Sequence, residues 1–441
     1  MKKKRTKILI TNTVALNGGD AAILKGMLKI LKASFGIDTE FTIYDAQAEV
    51  ASRYYPGMNF RSMIYWQKLD LFGLKRPMRL IRKINRIRVQ FGTWCWSHRL
   101  IFVAKIILIS EELTTLAEYK SADLIVSTGG TYLIENYSLT ARILDYKISL
   151  WLKKPLVFFT QSLGPFSNRS NRNTFKKIFD QACAILLRDF QSLEHLRQIG
   201  VQNRNIYVTP DAAFALLDGS SVSESRYKAS PSTAPKIAIS VRKWEKYKNK
   251  NPVLGQRNYL HAIRDLTIYL VDTYEADITF ISTCQGIPEY FLDDSMVALD
   301  IVGMLSPRVT QAVKVDREFH TPEDLTEILK MYDMVVATRL HMAILSLGIG
   351  TPVIPIAYEF KTQELFNKLG QGKWIIDIEE IESTTLITYM DRFLNSLKEI
   401  RQDLIPTIQK EIEQVYESCF FIKQGIGRID KKSFARTNEI L

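Results

Sequence analysis

The sequence predicts an α/β fold with two domains, each built on a doubly wound parallel sheet. Short apolar runs typical of buried strands alternate along the chain with stretches typical of helices. The 441 residues are too many for one ordinary hydrophobic core. Two domains of roughly 200 residues each are therefore expected. A segment rich in Ser, Ala and Pro near the middle of the chain gives the predicted boundary.

Six apolar runs predict strands in the first half of the chain. Each ends at a polar or glycine-containing loop, and the stretches between them suit helices, which is the alternation expected of a doubly wound sheet. The predicted strands are Lys7–Thr11, Phe41–Tyr44, Asp123–Val126, Lys154–Phe159, Ala184–Leu187 and Ile206–Val208.

Loops after these strands carry the candidate binding residues of the first domain. Gly19 and Asp20 follow the first strand and precede a helix predicted to run to about Ala33. They lack the full GxGxxG spacing of a dinucleotide site, and the alternative is a glycine turn in which Asp20 caps the helix. Other small polar residues and glycines come at or soon after the ends of later strands, where backbone N–H groups can approach a ligand. These candidates for contact with a ligand in the cleft are Gly129, Gly130, Gln161, Ser162 and Asp211.

The second half of the chain begins after the Ser- and Pro-rich segment. We predict an N-terminal domain of residues 1–218, a linker of residues 219–235 and a C-terminal domain of residues 236–441. The last ~50 residues are expected to form surface helices. Strands are predicted at Lys236–Val241, Ile278–Ser282, Met334–Ala337 and Val353–Ile356, and helices at Tyr259–Thr273 and Thr321–Lys330, the second of them capped by Thr321 with Asp324 in the third position.

The stretch from Tyr332 to Gly370 combines a strand, a charged turn, a helix, a glycine stop and a second strand. Arg339 and His341 lie at the turn, where a strand end faces the ligand crevice and the next helix presents free N–H groups. An arginine at a helix N-terminus is unfavourable for the helix dipole unless an anion lies between them. The stretch therefore predicts an anion site beside a titratable imidazole. The alternatives are an ion pair of Arg339 with Asp333 or Glu359, and a packing role for His341.

Composition excludes several classes of protein. The four cysteines are far apart and form no CxxC pair, which argues against a zinc site or a disulfide framework and favours a reducing cytoplasm. The basic start of the chain is followed by only a short apolar run, which does not suit a signal peptide. No apolar stretch reaches ~18 residues, so no membrane span is expected. We expect a cytoplasmic protein without a metal site.

The net charge of +12 is concentrated in one insertion of about residues 58–110. Between Arg61 and Lys105 there are eleven Lys or Arg, one acid and seven aromatic residues. Such a segment favours peripheral contact with an anionic membrane, at the inner face of the cell membrane, or with an acidic polymer. The alternative is a solvated helical insertion whose aromatic residues pack on the domain. Nucleic acid is not expected as a partner, because the charge is confined to one segment without a binding motif.

Read together, these motifs resemble those of the polysaccharide pyruvyl transferase family. The glycine run near residue 129 is shorter than is usual in the family, and the basic aromatic insertion has no counterpart in the family motifs. The matching residues cover most of the chain in the family's order: Gly19-Asp20 with Ala22-Ile23, Gly129-Gly130, Gln161-Ser162-Leu163-Gly164-Pro165, Arg188-Asp189, Pro210-Asp211 with Phe214, and Arg339-Leu340-His341 with Gly350-Thr351-Pro352-Val353.

The resemblance implies a glycosyltransferase-B-like pair of Rossmann-like domains facing each other across a cleft. It implies transfer of the pyruvyl group of phosphoenolpyruvate to two hydroxyls of one sugar in a polysaccharide or its lipid-linked precursor, which forms a cyclic ketal and releases phosphate. Arg339 and Leu340 match donor-binding residues on the C-terminal side, Arg242 matches a further donor arginine, and His341 matches the essential histidine. No cofactor is implied apart from phosphoenolpyruvate as co-substrate.

The residue types suit this chemistry in their own right. Arginine forks match both the carboxylate and the phosphate of the donor, and an imidazole, which titrates near ~6.5, can give or take a proton. Near Arg242, Lys243 and other lysines could supply the same charge. Two other functions stay open. One is a nucleotide-sugar glycosyltransferase, in which Glu359 after a strand binds the ribose; the other is a non-catalytic module that binds an anionic polymer or a membrane.

Overall fold

The computed structural model describes residues 5–64, 78–135, 137–217 and 234–438, with side chains except those of residues 78–83 and 428–438. Most of the predicted linker, up to residue 233, and residues 65–77 of the basic insertion lie outside the described residues. The chain forms two compact units. The first contains the residues up to Ala15, Met27–Ala212 and the chain from Tyr416 onward, and the second contains Leu16–Gly26 and the described part of Ala213–Val415.

This division differs from the predicted domains at residues 213–217, which group with the second unit, and at two longer segments. Residues 16–26 group with the second unit, where Gly18 N donates to Thr283 O at 3.1 Å. The chain from Tyr416 groups with the first unit, where Phe421 stacks on Tyr207 with ring centroids 4.0 Å apart. Long-range packing of both segments overrides their place in the sequence, and composition carries no sign of it.

The first unit is built on an eight-stranded sheet in which all pairs are parallel. The strand order is β3-β2-β1-β4-β6-β7-β8, with β5 also paired to β6, so the order reverses between β1 and β4. The strands are β1 Lys7–Thr13, β2 Glu40–Asp45, β3 Phe60–Ser62, β4 Leu124–Ser127, β5 Gly130–Leu133, β6 Leu156–Leu163, β7 Ala184–Leu187 and β8 Ile206–Val208.

The predicted end of the strand Lys154–Phe159 is wrong. β6 continues to Leu163, so Gln161 and Ser162 lie in a strand and not in a loop. The extension follows from pairing on both sides, because Gln161 has Gly130 of β5 and Leu187 of β7 as register partners. The sequence did not predict β5, since its four residues carry too few apolar positions for a strand pattern.

Side chains cap the starts of two helices of the first unit, Arg169–Gln181 (α7) and Phe190–Gln198 (α8). Asn168 accepts from Ser170 N at 2.8 Å, and Asp189 accepts from Ser192 N at 2.7 Å, as N-cap residues of α7 and α8 do. The helices are α1 Gly18–Phe35 (its first half belongs to the second unit), α2 Ala48–Tyr54, α3 Met78–Ser97, α4 Ile101–Ile107, α5 Ser110–Ser121, α6 Thr140–Trp151, α7 Arg169–Gln181 and α8 Phe190–Gln198.

The second unit has a six-stranded sheet in the order β11-β10-β9-β12-β13-β14, again with all pairs parallel. This is the Rossmann order 3-2-1-4-5-6, whose switch point lies between the first and fourth strands, here β9 and β12. The strands are β9 Lys236–Ser240, β10 Asp277–Phe280, β11 Val313–Val315, β12 Met334–Ala337, β13 Val353–Ala357 and β14 Ile376–Asp377.

Eight helices of the second unit are described. Thr321 caps α12 by accepting from Asp324 N at 3.2 Å, which confirms the predicted cap. They are α9 Pro252–Tyr274, α10 Asp294–Val302, α11 Pro307–Thr310, α12 Pro322–Leu329, α13 Leu340–Gly348, α14 Phe360–Lys368, α15 Ser383–Asn395 and α16 Leu397–Gln414; the last helix, α17 Glu417–Asn438, belongs to the first unit.

The long helices do not suit a transmembrane role. No described helix combines enough length with enough apolar character to span a bilayer.

The predicted C-terminal helices are present, and α15 and α16 each bury an apolar face, with Phe393 and Leu404 among the buried residues.

Asp145 in α6 is a buried carboxyl inside the first unit. Thr11 Oγ1 donates to its Oδ2 at 2.8 Å, and burial raises the pKa of Asp145 to about 7. Below pH ~4 the carboxyl is protonated in both the folded and the unfolded chain, so it has no effect there. As the pH rises to about 7 the unfolded chain loses this proton while the folded protein keeps it. The free energy of unfolding therefore falls over this window.

We expect Asp145→Asn to remove this part of the pH dependence, because the amide does not titrate. Between pH 4.5 and 8 the free energy of unfolding of the wild type should fall relative to that of the variant, on the order of 2–4 kcal/mol. Urea unfolding of both proteins at each pH measures the difference. Asp180→Asn, which changes an exposed carboxylate paired with Lys176 at 2.6 Å, is the control and should follow the wild type. Parallel pH curves for wild type and Asp145→Asn contradict the prediction.

Candidate active site

The carboxyl ends of the central strands of the second sheet gather the predicted donor-side residues. β9 and β12 are neighbours at the switch point, so Arg242 after β9 and Arg339 and His341 after β12 lie at the same edge. Thr338 N donates to Ser240 O at 3.0 Å, which holds the two strand ends together.

Arg339 forms a buried ion pair. It is the N-cap residue of α13 and only 8% exposed, and its Nε and Nη2 donate to the two oxygens of Asp294 at 2.7 and 2.6 Å. This is the bidentate geometry in which arginine and carboxylate bind most strongly. The ion-pair alternative is therefore correct in kind but has a different partner, since Asp333 lies 3.9 Å from Arg401 and Glu359 lies 2.8 Å from Lys361.

Sequence reasoning missed Asp294. The residue begins α10 and is buried, where it also accepts from Ser282 Oγ at 2.6 Å. A signal was present, because Asp293-Asp294-Ser295 precedes an apolar run, as at many helix starts. Asp293 does cap α10, accepting from Ser295 N at 3.0 Å. The pattern predicts the helix and gives no indication of which arginine its first residue meets.

The electrostatics of the pair keep the arginine charged. Burial alone lowers the pKa of the Arg339 guanidinium, but the attraction of Asp294 outweighs it and holds that pKa well above its ordinary value. Burial raises the pKa of the neighbouring Cys284 thiol, which lies in the fields of Arg339, Asp294, Asp20 and Arg242. The edge thus presents fixed guanidinium charge around a neutral thiol.

His341 is the second residue of α13 and is half-buried. The backbone of Gly19 lies directly against its ring, because a Cβ on Gly19 would stand 2.4 Å from Nδ1 of His341. Gly18 is equally confined, since its Cβ would stand 2.1 Å from the carbonyl oxygen of Thr283. Both positions need glycine for close approach. The structure therefore brings together the predicted residues Gly19 and His341 from distant parts of the chain.

Asp20 lies in the first turn of α1, beside the same group of residues. The reading of Asp20 as the helix cap is wrong, because Asn17 fills that role through Oδ1, which accepts from Gly19 N at 3.0 Å and Asp20 N at 3.3 Å. Burial raises the pKa of Tyr290, and the carboxylate of Asp20 adds to this effect. The Asp20 carboxylate is therefore within electrostatic reach of both Tyr290 and Cys284.

Arg242 is held in a different way from Arg339. Its guanidinium carbon lies 4.2 Å from the ring centroid of Tyr358 and 5.2 Å from that of Trp244. Its Nε donates to the Lys243 carbonyl at 3.3 Å, and within the described parts of the chain no carboxylate pairs with it. Aromatic faces can hold a guanidinium in place while its N–H edges stay directed outward. This is the arrangement expected of a cation that receives an anionic ligand.

Leu340 was predicted as a donor-side residue, and it is the first residue of α13. It is buried, so its side chain belongs to the core. Its backbone N–H, at the start of the helix, is the group that suits an anion.

Arg188 connects the polar residues at the carboxyl edge of the first sheet. Its three nitrogens donate to Ser162 Oγ at 2.7 Å, Asp211 Oδ2 at 2.5 Å and Thr131 Oγ1 at 2.6 Å. The side chains of Arg188 and Asp211 are both 5% exposed. The structure thus joins Ser162 and Asp211, two predicted residues, through an arginine that was noted as part of a motif and not as a site residue.

Gly129, Gly130 and Gln161 lie at the same edge. Gln161 Nε2 donates to Tyr132 Oη at 2.8 Å and to the carbonyl of Thr128, which holds the glycine-containing turn onto β6. Gly130 has φ +138°, a conformation that favours glycine. Gln161 pairs in register with Gly130, so the predicted glycine pair and glutamine form one local unit.

Several buried polar atoms at this edge lack partners. Among the described residues, no hydrogen bond reaches Asn12 Oδ1 or Nδ2, Thr160 Oγ1 or Gln161 Oε1. The three residues lie on β1 and β6, the two strands that flank β4. Leaving such groups unpaired inside a sheet is costly, and all three side chains are fully buried.

Two parallel sheets with a Rossmann-like switch point define the class of the protein, a glycosyltransferase-B-like α/β fold. Solved structures share it. The UDP-GlcNAc 2-epimerase from Neisseria meningitidis bound to UDP-GlcNAc has a TM-score of 0.55 at 11% identity, covering 96% of this chain and 100% of that one. Anabaena Alr3699/HepE in complex with UDP-glucose has a TM-score of 0.54 at 13% identity, covering 97% and 100%. At such identities the likeness concerns the fold.

The chain belongs to the polysaccharide pyruvyl transferase family, whose model matches residues 17–359. It is also 24% identical over 410 residues to the amylovoran biosynthesis protein AmsJ of Erwinia amylovora, covering 92% of this chain and 95% of that protein. The resemblance inferred from the motifs is therefore confirmed, and the chain is a member of a family of transferases in polysaccharide biosynthesis.

We expect Asp294→Ala to destabilise the second unit strongly, because it leaves the Arg339 guanidinium buried without its counter-charge. Breaking one side of a buried pair costs about 3–5 kcal/mol. The control is Asp272→Ala, which removes an exposed partner of Arg308 and should cost at most about 1 kcal/mol. Urea unfolding followed by circular dichroism measures both. Similar losses in the two variants would show that the buried pair has no special weight.

Proposed function

We propose that the protein transfers the pyruvyl group of phosphoenolpyruvate to two hydroxyls of one sugar residue and so forms a cyclic ketal. The observation that carries the proposal is Arg242, held on two aromatic rings without an acidic partner in the described chain, at the same sheet edge as His341. The sugar residue belongs to a polysaccharide or to its lipid-linked precursor, in keeping with the family and with the amylovoran relative.

The donor is a small molecule with two anionic groups, which the second unit suits. Arg242 offers a guanidinium that no carboxylate of the described residues neutralises. Arg339 gives two of the five guanidinium N–H donors to Asp294, and others remain for a ligand oxygen. The N-terminus of α13, with the backbone N–H groups of Leu340 and His341, adds partial positive charge at the same place. Together these groups match a carboxylate and a phosphate.

The reaction needs proton transfers that balance. Ketal formation joins two sugar oxygens to C2 of phosphoenolpyruvate, converts its methylene to a methyl group and breaks the bond between C2 and the phosphate oxygen. Of the two protons lost by the hydroxyls, the equivalent of one is taken up by the methylene carbon and the other leaves with phosphate. The site must therefore accept a proton from a hydroxyl and donate a proton to the methylene carbon. A single imidazole can perform these two transfers in turn.

His341 is our candidate for this group. It is half-buried, and its ring is held against the backbone of Gly19, which restricts the positions open to it. The carboxylate of Asp20, the residue that follows Gly19, is the second candidate for proton transfer. Fixing a general acid–base close to an anion site is what a carbon protonation requires, because the reaction rate depends on the position of the donor.

The first unit supplies the acceptor side in this proposal. The polar side chains that Arg188 holds together at the carboxyl edge of this sheet, Thr131, Ser162 and Asp211, support this assignment. A saccharide presents many donors and acceptors and little charge, so a polar edge of this type is complementary to it.

Our third prediction is that phosphoenolpyruvate raises the melting temperature of the protein and that Arg242→Ala largely abolishes the effect. Losing an arginine from a desolvated anion costs on the order of 2–5 kcal/mol of binding. Lys243→Ala is the matched control, because Lys243 is the adjacent cation, is exposed and pairs with Glu245 at 2.6 Å. Thermal scans with and without phosphoenolpyruvate measure the shift.

Arg339→Lys extends this test without leaving Asp294 unpaired, since lysine keeps the charge and loses the fork. The loss of the fork should lower the melting temperature without ligand, so donor protection is measured as the shift that phosphoenolpyruvate adds for each protein, and this shift should be smaller in the variant. Stabilisation by a nucleotide sugar and not by phosphoenolpyruvate would replace the proposal with the glycosyltransferase alternative. Equal protection of wild type and Arg242→Ala would remove that arginine from the donor site.

The fourth prediction is that His341→Gln lowers turnover by ~10²–10⁴ while donor protection survives, because the arginines that hold the anion remain. Glutamine keeps a polar side chain at the helix start and cannot act as an acid or base near neutral pH. Phosphate release from phosphoenolpyruvate in the presence of acceptor saccharide measures turnover, and thermal scans measure donor binding. Near-normal turnover in the folded variant excludes the histidine from the mechanism. Loss of donor protection together with activity makes His341 a binding residue and leaves Asp20 as the candidate for proton transfer.

A further inference from the structure

The helical hairpin formed by α3 and α4 in the first unit has two unlike faces. Its inner face is packed: a Cβ on Gly92 would stand 2.6 Å from Leu108, and Val89 and Ala104 are fully buried. Arg88 fixes the hairpin to α5, because Nη2 and Nη1 donate to the buried Glu112 at 2.6 and 2.9 Å. The hairpin is therefore firmly held, and the exposure of its other face is set by this packing.

The outer face is apolar. On α3 the exposed residues are spaced three and four positions apart, which places them on one stripe of the helix. On α4, Phe102 is 78% exposed and Ile106 is 71% exposed, one turn apart. The exposed apolar residues of the hairpin are Ile84, Ile87, Phe91, Trp94, Leu100, Ile101, Phe102, Val103 and Ile106. So many large apolar side chains on one short hairpin exceed the scattered exposure normal on a protein surface.

Cationic side chains accompany this stripe. The two helices and their turn carry seven Lys or Arg and no Asp or Glu. Arg86, Arg99 and Lys105 are exposed, and in the described parts of the chain none of them has an ion-pair partner. Arg88, in contrast to these three, pairs with Glu112 and is part of the packed face. The free cations and the apolar stripe occupy the same exposed hairpin.

We propose that the α3–α4 hairpin docks on the surface of a bilayer that contains anionic lipid. Anionic head groups complement the unpaired cations, and the acyl boundary takes the apolar stripe. The aromatic rings suit the same depth, since Phe91 stacks on Trp94 at 6.2 Å and Trp94 on His98 at 4.5 Å, and such amphipathic rings favour the membrane interface. The hairpin lies on the membrane and does not span it.

Charge argues against the other occupants of this face. A second copy of the chain would bring two cationic hairpins together, and like charges oppose that contact. A soluble acidic polymer would neutralise the cations but would leave Phe102 and Ile106 in water. A lipid surface satisfies both features at once.

The test is vesicle flotation of the whole protein with no donor or acceptor present, so its result is independent of the proposed reaction. Vesicles of phosphatidylcholine alone are compared with vesicles that also contain about 30 mol % phosphatidylglycerol, since each Lys or Arg near an anionic surface adds about fivefold to partitioning. We expect binding to the anionic vesicles, weak binding to the neutral ones, and a marked decrease as salt is raised from about 0.1 to 0.5 M.

Two variants separate the contributions. Arg86→Glu, Arg99→Glu and Lys105→Glu together should lower partitioning about 10²-fold or more. Phe102→Ser with Ile106→Ser should lower it at least about 10-fold while keeping the charge. The controls change like residues elsewhere on the first unit. They are Lys29→Glu with Lys177→Glu, and Ile37→Ser with Phe190→Ser, at positions that are exposed but outside the hairpin.

Each result bears on the proposal. All variants lie on the surface, and the salt series of the wild type needs no variant at all. Binding that depends on both hairpin sets and on neither control set supports the proposal. It is overturned by absence of binding to anionic vesicles, by equal binding to neutral vesicles, or by insensitivity to Phe102→Ser with Ile106→Ser. A dimer in sedimentation equilibrium that the same apolar variant dissociates would assign the face to a second copy.

Discussion

The buried ion pair between Arg339 and Asp294 is the constraint on which the candidate active site depends. It joins the turn after β12 to the start of α10, and Ser282 after β10 binds the same carboxylate. The ends of two strands and the start of one helix of the second unit thus converge on one charged group. A buried pair is weak evidence for net stability, because desolvation offsets much of the attraction. The pair matters here because it orients the Arg339 side chain: Asp294 holds one edge of the guanidinium at the switch point of the sheet.

Around that fixed group, the site shows a division of labour between two arginines. Arg339 is compensated by a carboxylate, and Arg242 rests on Tyr358 and Trp244 with no such partner in the described chain. The first can be buried because its charge is balanced. The second stays partly exposed, so its charge keeps contact with water. An anionic ligand can supply the missing counter-charge. The ring of the neighbouring His341 lies against the backbone of Gly19.

The first unit repeats the topology with different chemistry. Its switch-point edge carries hydroxyls, amides and an arginine that is already engaged with Asp211, while the edge of the second unit carries cationic groups available to an anion. Both edges follow from parallel strands that end together. What each edge can bind depends on whether it has an arginine beyond the one that pairs with a carboxylate. Arg188 is paired in the first unit, whereas the second unit has Arg242 besides the paired Arg339. The α3–α4 hairpin differs from both edges in kind, because its exposed cations lie on a helical surface and not at a strand end.

The sequence by itself determined the alternation of strands and helices, the strand that leads to Arg339 and His341, the cap at Thr321 and the membership of the family. These depend on local periodicity, capping and ordered motifs, which neighbouring residues express directly. Only the tertiary structure decided that Asp294 meets Arg339, that Gly19 lies against His341, and that Gln161 and Ser162 belong to a strand. It also decided that residues 16–26 and the last helix change units. Each of these depends on contacts between segments far apart in the chain, and neither spacing nor composition records which distant partner a side chain will meet.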